Sequence, residues 1–268
     1  MSAYKIEAGT AQHIGSRPQQ NDRTALFTTP KAPGYVLAVL ADGVSGGATG
    51  SDQLLHTAKQ LFDEYRASET ANLPRVEALL REIAHDTQHI LTVNPLTGAN
   101  EPQSSMVLLM LTPQRQAVWA VVGDSRLYRF SNKEFVARSN DSDYVEHLMK
   151  NDGLPEDAAR KHRASKLLAN VLGNKEKEPF VTVGMQEELK AGDAFLLCSD
   201  GLWSYFTDAE LAAVVSKKAP REASELLINK ARERAQGKGD NCSMAIIKLV
   251  RPPKEEQNYT VQKLRKAV

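Results

Sequence analysis

The sequence is poor in most features that would assign it to a specialised class. Cysteine is scarce: Cys198 and Cys242 are the two present, both inside apolar runs. They read as buried small hydrophobes in a reducing compartment. No excess of either charge exists, with 34 basic against 33 acidic residues and a net charge of +1. No global field therefore selects nucleic acid or an anionic membrane as partner. Long hydrophobic runs are missing, and the N-terminal MSAYKIEAGTAQH has no apolar core. Neither a signal peptide nor a membrane span is expected, and the expected location is the cytoplasm. Internal repeats and low-complexity tracts are absent too. What remains, at 41% hydrophobic and 25% charged over 268 residues, is an ordinary globular chain. That length suits one large domain or two small ones.

The most informative stretch is VLAVLADG, Val36–Gly43. An apolar run of this length reads as a buried strand, and it ends abruptly in Asp42-Gly43. A carboxylate at the tip of a buried strand is expensive unless a cation meets it, which makes Asp42 a candidate metal or catalytic group. The pattern recurs in VWAVVGDS (Asp124), AFLLCSDG (Asp200) and GDNCSMAII (Asp240), and Asp22 stands just before Thr24–Phe27. Five strand-edge aspartates thus come from five distant parts of the chain. Asp193, in AGDAF, is most simply a turn residue.

Along the chain, residues 4–13 and 24–29 alternate weakly and suggest a strand pair around the polar turn Gly15–Arg23. Residues 51–66 have helical spacing with Ser51 as the expected cap, and a second amphipathic helix follows Pro74. Ser105–Leu111, Ala117–Val122 and Arg126–Phe130 suggest an antiparallel meander. Residues 139–178 are polar and read as a surface excursion, a lid or an insertion. Strands return at 181–185 and 194–199. Helices follow at 207–216, capped by Thr207, and at 220–235, and Cys242–Val250 is the last strand. Strands arrive in clusters and helices in pairs, so the expectation is an α+β protein whose helix pairs cover two sheets. Residues 1–250 form the expected single domain and 251–268 a flexible tail.

Several carboxylates brought together repel, and some stay protonated near neutral pH, unless a cation neutralises them. An oxygen-rich set suits magnesium or manganese, whereas zinc favours His and Cys. His85 and His89 are four apart but have no third ligand. Two ions about 3.5–4 Å apart lower the pKa of a shared water towards ~7, and phosphate is then the leading substrate. Glycine beside a ligand, as in Asp42-Gly43, lets a carbonyl coordinate. Arg17 supplies a guanidinium fork for two phosphoryl oxygens. Competing chemistries lack their parts. Cys198 has no Arg at Cys-x5-Arg spacing, GGATGS lacks a Lys-Ser/Thr, and Ser104, Ser105 and Ser125 lack a His partner.

In motif order, RPQQND (17–22), LADGVSGG (40–47), QSSMVLLM (103–110), VGDSRLYRF (122–130), LLCSDGLW (196–203) and GDNCSMAII (239–247) resemble the metal-dependent type-2C protein serine/threonine phosphatases. The resemblance covers roughly residues 5–250 and is to the stand-alone bacterial type. It implies a four-layer α-β-β-α sandwich around two mainly antiparallel sheets. It implies two manganese or magnesium ions and a third, looser one. Asp42, Asp200 and Asp240 would hold one ion. Asp42 and the Gly43 carbonyl would hold the other, with Asp22 close by through water. Asp124 is the third-ion candidate, Arg17 the phosphate clamp, and 139–178 the variable flap. The implied reaction is hydrolysis of phosphoserine and phosphothreonine on proteins by direct attack of metal hydroxide. The implied partner is a phosphorylated protein, a serine/threonine kinase or its target, met by a monomer without nucleic acid or membrane. Two alternatives are a regulatory binding module that has kept the fold without catalysis, and a phosphatase dedicated to one signalling or secretion-system partner. The first should have erased Asp42, Asp200 or Asp240, and all three are present. The chain departs from the pattern at Asn21, where many members have Glu, and at Val44, where some carry a His proposed as general acid. It departs again at Asp141-Ser142-Asp143, where the flap signature is Asp-His-Ser.

Overall fold

The structure, a computed structural model, describes residues 4–67, 72–93, 101–139, 170–252 and a few positions between 149 and 158. Ten strands are β1 (Lys5–His13), β2 (Arg23–Phe27), β3 (Val36–Ser45), β4 (Gln103–Thr112), β5 (Gln116–Val122), β6 (Arg126–Ser131), β7 (Glu134–Arg138), β8 (Thr182–Gln186), β9 (Ala194–Cys198) and β10 (Cys242–Val250). The helices are α1 (Thr49–Glu64), α2 (Leu73–Val93), the single turn α3 (Asp200–Trp203), α4 (Asp208–Lys217) and α5 (Pro220–Ala235). They build two five-stranded antiparallel sheets, in the orders β2-β3-β4-β5-β8 and β1-β10-β9-β6-β7.

The strand period of two creates the layers. In β3, Leu37, Val39 and Ala41 face Leu54, Ala58 and Phe62 of α1, while Ala38 and Leu40 face the other sheet. In β10, Met244 and Ile246 pack on Leu211, Val215 and Leu227 of the second helix pair, while Ala245 and Ile247 point inward. Successive side chains thus belong to different cores, and both faces of each sheet are covered. The result is the expected four-layer α-β-β-α sandwich.

Local signals explain several boundaries. Thr207 and Glu210 form a capping box at the start of α4, and α5 opens on Pro220 at its first position. The expected cap at Ser51 is wrong. Helix α1 begins after Ala48, and the Ser51 hydroxyl inside it donates to the carbonyls of Asn21 and Ala48. The expected pairing of the first two strands also fails: β1 lies beside β10 in one sheet and β2 beside β3 in the other. The meander likewise breaks after β5, because β6 crosses to the second sheet. Local periodicity reports which face of a strand is apolar and carries nothing about the distant strand it will pair with. Within the excursion, residues 170–173 are not surface, although 175–178 are exposed. Asn170, Val171 and Leu172 are buried, and Leu172 exchanges backbone hydrogen bonds with Ser104. Residues 95–100, Asp141–Asp143, most of 139–169 and the tail from 253 lie outside the described residues.

Candidate metal centre

Strand register brings the candidate residues to one rim. Arg23 pairs with Ala41, so one further step sets Asp22 opposite Asp42. Arg126 pairs with Cys198, and two further steps set Asp124 opposite Asp200. His13 pairs with Cys242, and the same continuation brings Gly15 beside Asp240. There the Ser16 amide and hydroxyl both donate to the Gly239 carbonyl at 2.8 Å. Asp42 and Gly43 face Ser105 and Ser104 of β4. Two close approaches require glycine. A Cβ on Gly15, at φ +66°, would lie 2.2 Å from the Asp240 carbonyl oxygen, and one on Gly201 would lie 2.0 Å from that of Asn241.

The electrostatics show that these carboxylates share one field. The Asp42 carboxyl is pushed well above the usual range, by burial first and then by the negative charges of Asp22, Asp200 and Asp124. Burial also raises Asp22, against a 2.8 Å hydrogen bond from the Ser199 hydroxyl. Asp200 is pushed up to about 6 by burial and by Asp240 and Asp22, with the Gly201 amide and Arg17 pulling the other way. Such crowding favours protonation in the absence of a cation. Arg17 spends its guanidinium on Asp240. Nε donates to Oδ1 at 2.7 Å and Nη2 to Oδ2, so a phosphate clamp at Arg17 and an ion at Asp240 both require this fork to open.

The residues fit a hard divalent cation by their chemistry. Asp22 is fully buried, yet its Oδ1 meets no hydrogen-bond donor, and neither does the buried Oδ1 of Asn21 next to it. Ser216 Oγ is the one other such atom among the described residues. Adjacent buried oxygens without donors are what an oxygen-coordinated ion or its water shell satisfies. The arrangement is open rather than closed: among the described residues no three His, Cys, Asp or Glu side chains are already gathered around one point. Beside the carboxylates lies a cleft of about 520 Å³ lined by Arg17, Asp200, Ser204, Tyr205, Lys238 and Asp240. Val44 is 44% exposed on the far side of Gly43.

Residues that sequence reasoning missed hold this rim together. Ser199 is the hub: its hydroxyl donates to Asp22 and accepts from the Ser243 amide at 3.0 Å. Asn241 ties the loop carrying Arg17, donating to the carbonyls of Ile14 and Gln19 and accepting from the Asn21 amide. The Ser105 and Ser125 hydroxyls bond each other at 2.7 Å. For Ser199, Asn241 and Ser125 the only sequence signal was adjacency to a candidate aspartate, and for Ser105 its place in QSSMVLLM. Both cysteines are buried as expected, and burial pushes the Cys242 thiol up to about 12.

No protein-family model matches the chain. It is 25% identical over 217 residues to the serine/threonine phosphatase stp of Listeria monocytogenes, covering 79% of this chain and 83% of that one. Its fold superposes on the serine/threonine phosphatase of S. agalactiae with a TM-score of 0.78 at 20% identity, covering 91% and 99%. It superposes on the catalytic domain of the phosphatase PstP, solved in complex with two manganese ions, with a TM-score of 0.70 at 21% identity, covering 91% and 98%. The chain is thus similar in sequence to bacterial serine/threonine phosphatases and shares the fold of the solved ones.

Proposed function

We propose that the rim is the active centre of a metal-dependent protein phosphatase that hydrolyses phosphoserine and phosphothreonine. The observation that carries this reading is the convergence of Asp22, Asp42, Asp124, Asp200 and Asp240, with Asp22 Oδ1 buried and lacking any donor. In this reading Asp42, Asp200 and Asp240 hold one divalent ion. Asp42 and the Gly43 carbonyl would hold a second, Asp22 and Asn21 would accept from water near it, and Asp124 would hold a looser third. Manganese or magnesium bound there lowers the pKa of water towards ~7. Arg17 turns from Asp240 to the phosphoryl oxygens and orients the group in the cleft.

The protein's own nucleophiles support direct hydrolysis without a covalent enzyme intermediate. Cys198, Cys242, Ser104, Ser105 and Ser125 are all buried, and burial pushes the Cys242 thiol up to about 12, away from the thiolate that a nucleophile needs. The exposed side chain after Gly43 is Val44, so leaving-group protonation falls to a group other than a histidine at that position. The substrate class is a phosphoprotein, and we extend it to a serine/threonine kinase or its targets, met by a monomer in the cytoplasm. Among the described residues no helix is long and apolar enough to cross a membrane. The test is hydrolysis of a phosphothreonine peptide with and without manganese, by wild type and Asp200→Asn. Manganese-dependent turnover lost in the variant supports the reading; equal turnover by both proteins overturns it.

A further inference from the structure

The turn that presents Asp124 carries the chain from one sheet to the other, between β5 and β6. Such a crossover has no continuous ladder to hold it, so other contacts must fix its carboxylate. On one side Ser125 bonds Ser105 at 2.7 Å, and Gly123, at φ +98°, packs so close that a Cβ would lie 2.7 Å from that of Ser105. On the other side stands Trp203, whose indole N–H donates to the Asp124 carbonyl at 3.0 Å. Trp203 closes the single turn α3 that Asp200 opens, and its own amide donates to the Ser199 carbonyl. Across its ring lies the Arg126 guanidinium, 3.4 Å from the centroid. Arg126 is buried, bonds the Tyr128 hydroxyl at 3.1 Å, and pairs with Cys198, two residues before Asp200.

We infer that Trp203, clamped under Arg126, is a positioning residue that fixes the Asp124 turn against the helix bearing Asp200, and so sets how tightly the outer ion is held. The inference rests on the proposed role of Asp124 as third-ion ligand. A buried cation stacked on an indole holds the ring in one orientation, because tilting it forfeits the contact in a site with little water to replace it. With the ring fixed, its N–H is aimed at one carbonyl. The carboxylate on that residue then has a defined place relative to Asp200 before any ion arrives. Outer-shell contacts of this kind are worth roughly 10–100-fold in metal affinity. A packing role alone would lower stability and leave the relative affinities of the ions alike.

The test uses the full chain with Trp119→Phe as background, which leaves Trp203 the only tryptophan. Manganese is titrated by calorimetry and by indole emission. Asp124→Asn is expected to remove the weakest binding step. Trp203→Phe, which keeps a ring under Arg126 and loses the N–H, is made without that background and read by calorimetry. It is expected to raise the dissociation constant of the weakest step roughly tenfold and to leave the tighter steps unchanged. Arg126→Lys, in the background, should do the same to a smaller extent and should weaken the emission change that accompanies that step. If Asp124→Asn removes a step while Trp203→Phe and Arg126→Lys both titrate like their parents, the inference is overturned. If Asp124→Asn leaves every step in place, the ligand reading of Asp124 falls and takes this inference with it. Manganese-dependent turnover lost in Asp200→Asn stands or falls separately.

Discussion

The two sheets bring unlike electrostatics to the shared rim. The β2–β3 edge delivers Asp22 and Asp42, whose charges face each other; Ser199 and Ser243 of the opposite sheet bond Asp22, and Arg17 attracts Asp42 more weakly than it does Asp240. The β1–β10–β9 edge delivers Asp200 and Asp240, which already have company: a backbone amide for the first and the Arg17 fork for the second. One half of the site is therefore the less compensated and the other partly neutralised. The less compensated half has the most to gain from a divalent ion.

The sharpest way to break this contrast is Asp42→Asn. It should abolish phosphothreonine-peptide hydrolysis, by at least about 10³-fold given that metal-ion catalysis supplies several kcal/mol. It should also raise the melting temperature of the ion-free protein at pH 7.5, since a crowded charge disappears. Activity lost together with stability gained is the signature; loss of both would mean that Asp42 is structural.

Next in size is Arg17→Ala. On the partly neutralised half it should lower kcat/KM by about 10²-fold, through the lost bidentate grip on phosphate. Manganese affinity by calorimetry should change less than phosphate affinity. A manganese effect as large as the phosphate effect would return Arg17 to the role of counter-ion for Asp240.

The pH response should separate ion-free from ion-loaded protein. Asp200 has its folded pKa at about 6, above its ordinary range, and Asp22 and Asp42 are displaced in the same direction. The folded ion-free protein therefore holds more protons than the unfolded chain from about pH 4 upwards, and its stability falls as pH rises through that window. Ion binding requires the deprotonated carboxylates, so manganese affinity should rise between pH 5 and pH 7, by about tenfold per pH unit for each proton displaced. Melting curves in chelator and in manganese across that range check both signs.

The smallest expected effect is Ser199→Ala. Its hydroxyl joins the two halves, bonding Asp22 and the Ser243 amide. Removal leaves two buried groups short of a partner and should destabilise the protein by ~1–3 kcal/mol. Because Asp22 lies in the less compensated half, manganese should recover part of that loss. No recovery would place Asp22 outside the ion's reach.

Much of this was legible in the sequence for a definite reason. Strand and helix periods are local, so β10 was readable residue by residue, and Thr207 announced α4 through its capping pattern. The five aspartates were readable because each interrupts an apolar run at a strand edge. What the sequence could not show depends on pairing between distant segments. The β1 strand pairs with β10 and not with β2, the serine and asparagine supports act across sheets, and Leu172 is drawn into the rim from an otherwise polar stretch. Strand β7, with a half-exposed face, and the single-turn α3 are too short to carry a period. Val44 and Asn21 read as departures from a pattern; the structure adds that one is exposed and the other holds an oxygen without a donor.

The nine-residue register between β1 and β10 has a consequence for the chain as it is made. Arg17 is synthesised early, but its fork partner Asp240 and the strand that follows it emerge more than two hundred residues later. Until then β1 has no ladder, and Asp22 and Asp42 form only half a site. Contacts of such sequence separation form late in folding. In a ribosome-bound fragment ending before Gly239 the candidate rim therefore lacks Asp240 and β1 lacks its ladder, and the proposed centre is complete only when the last strand closes on the first.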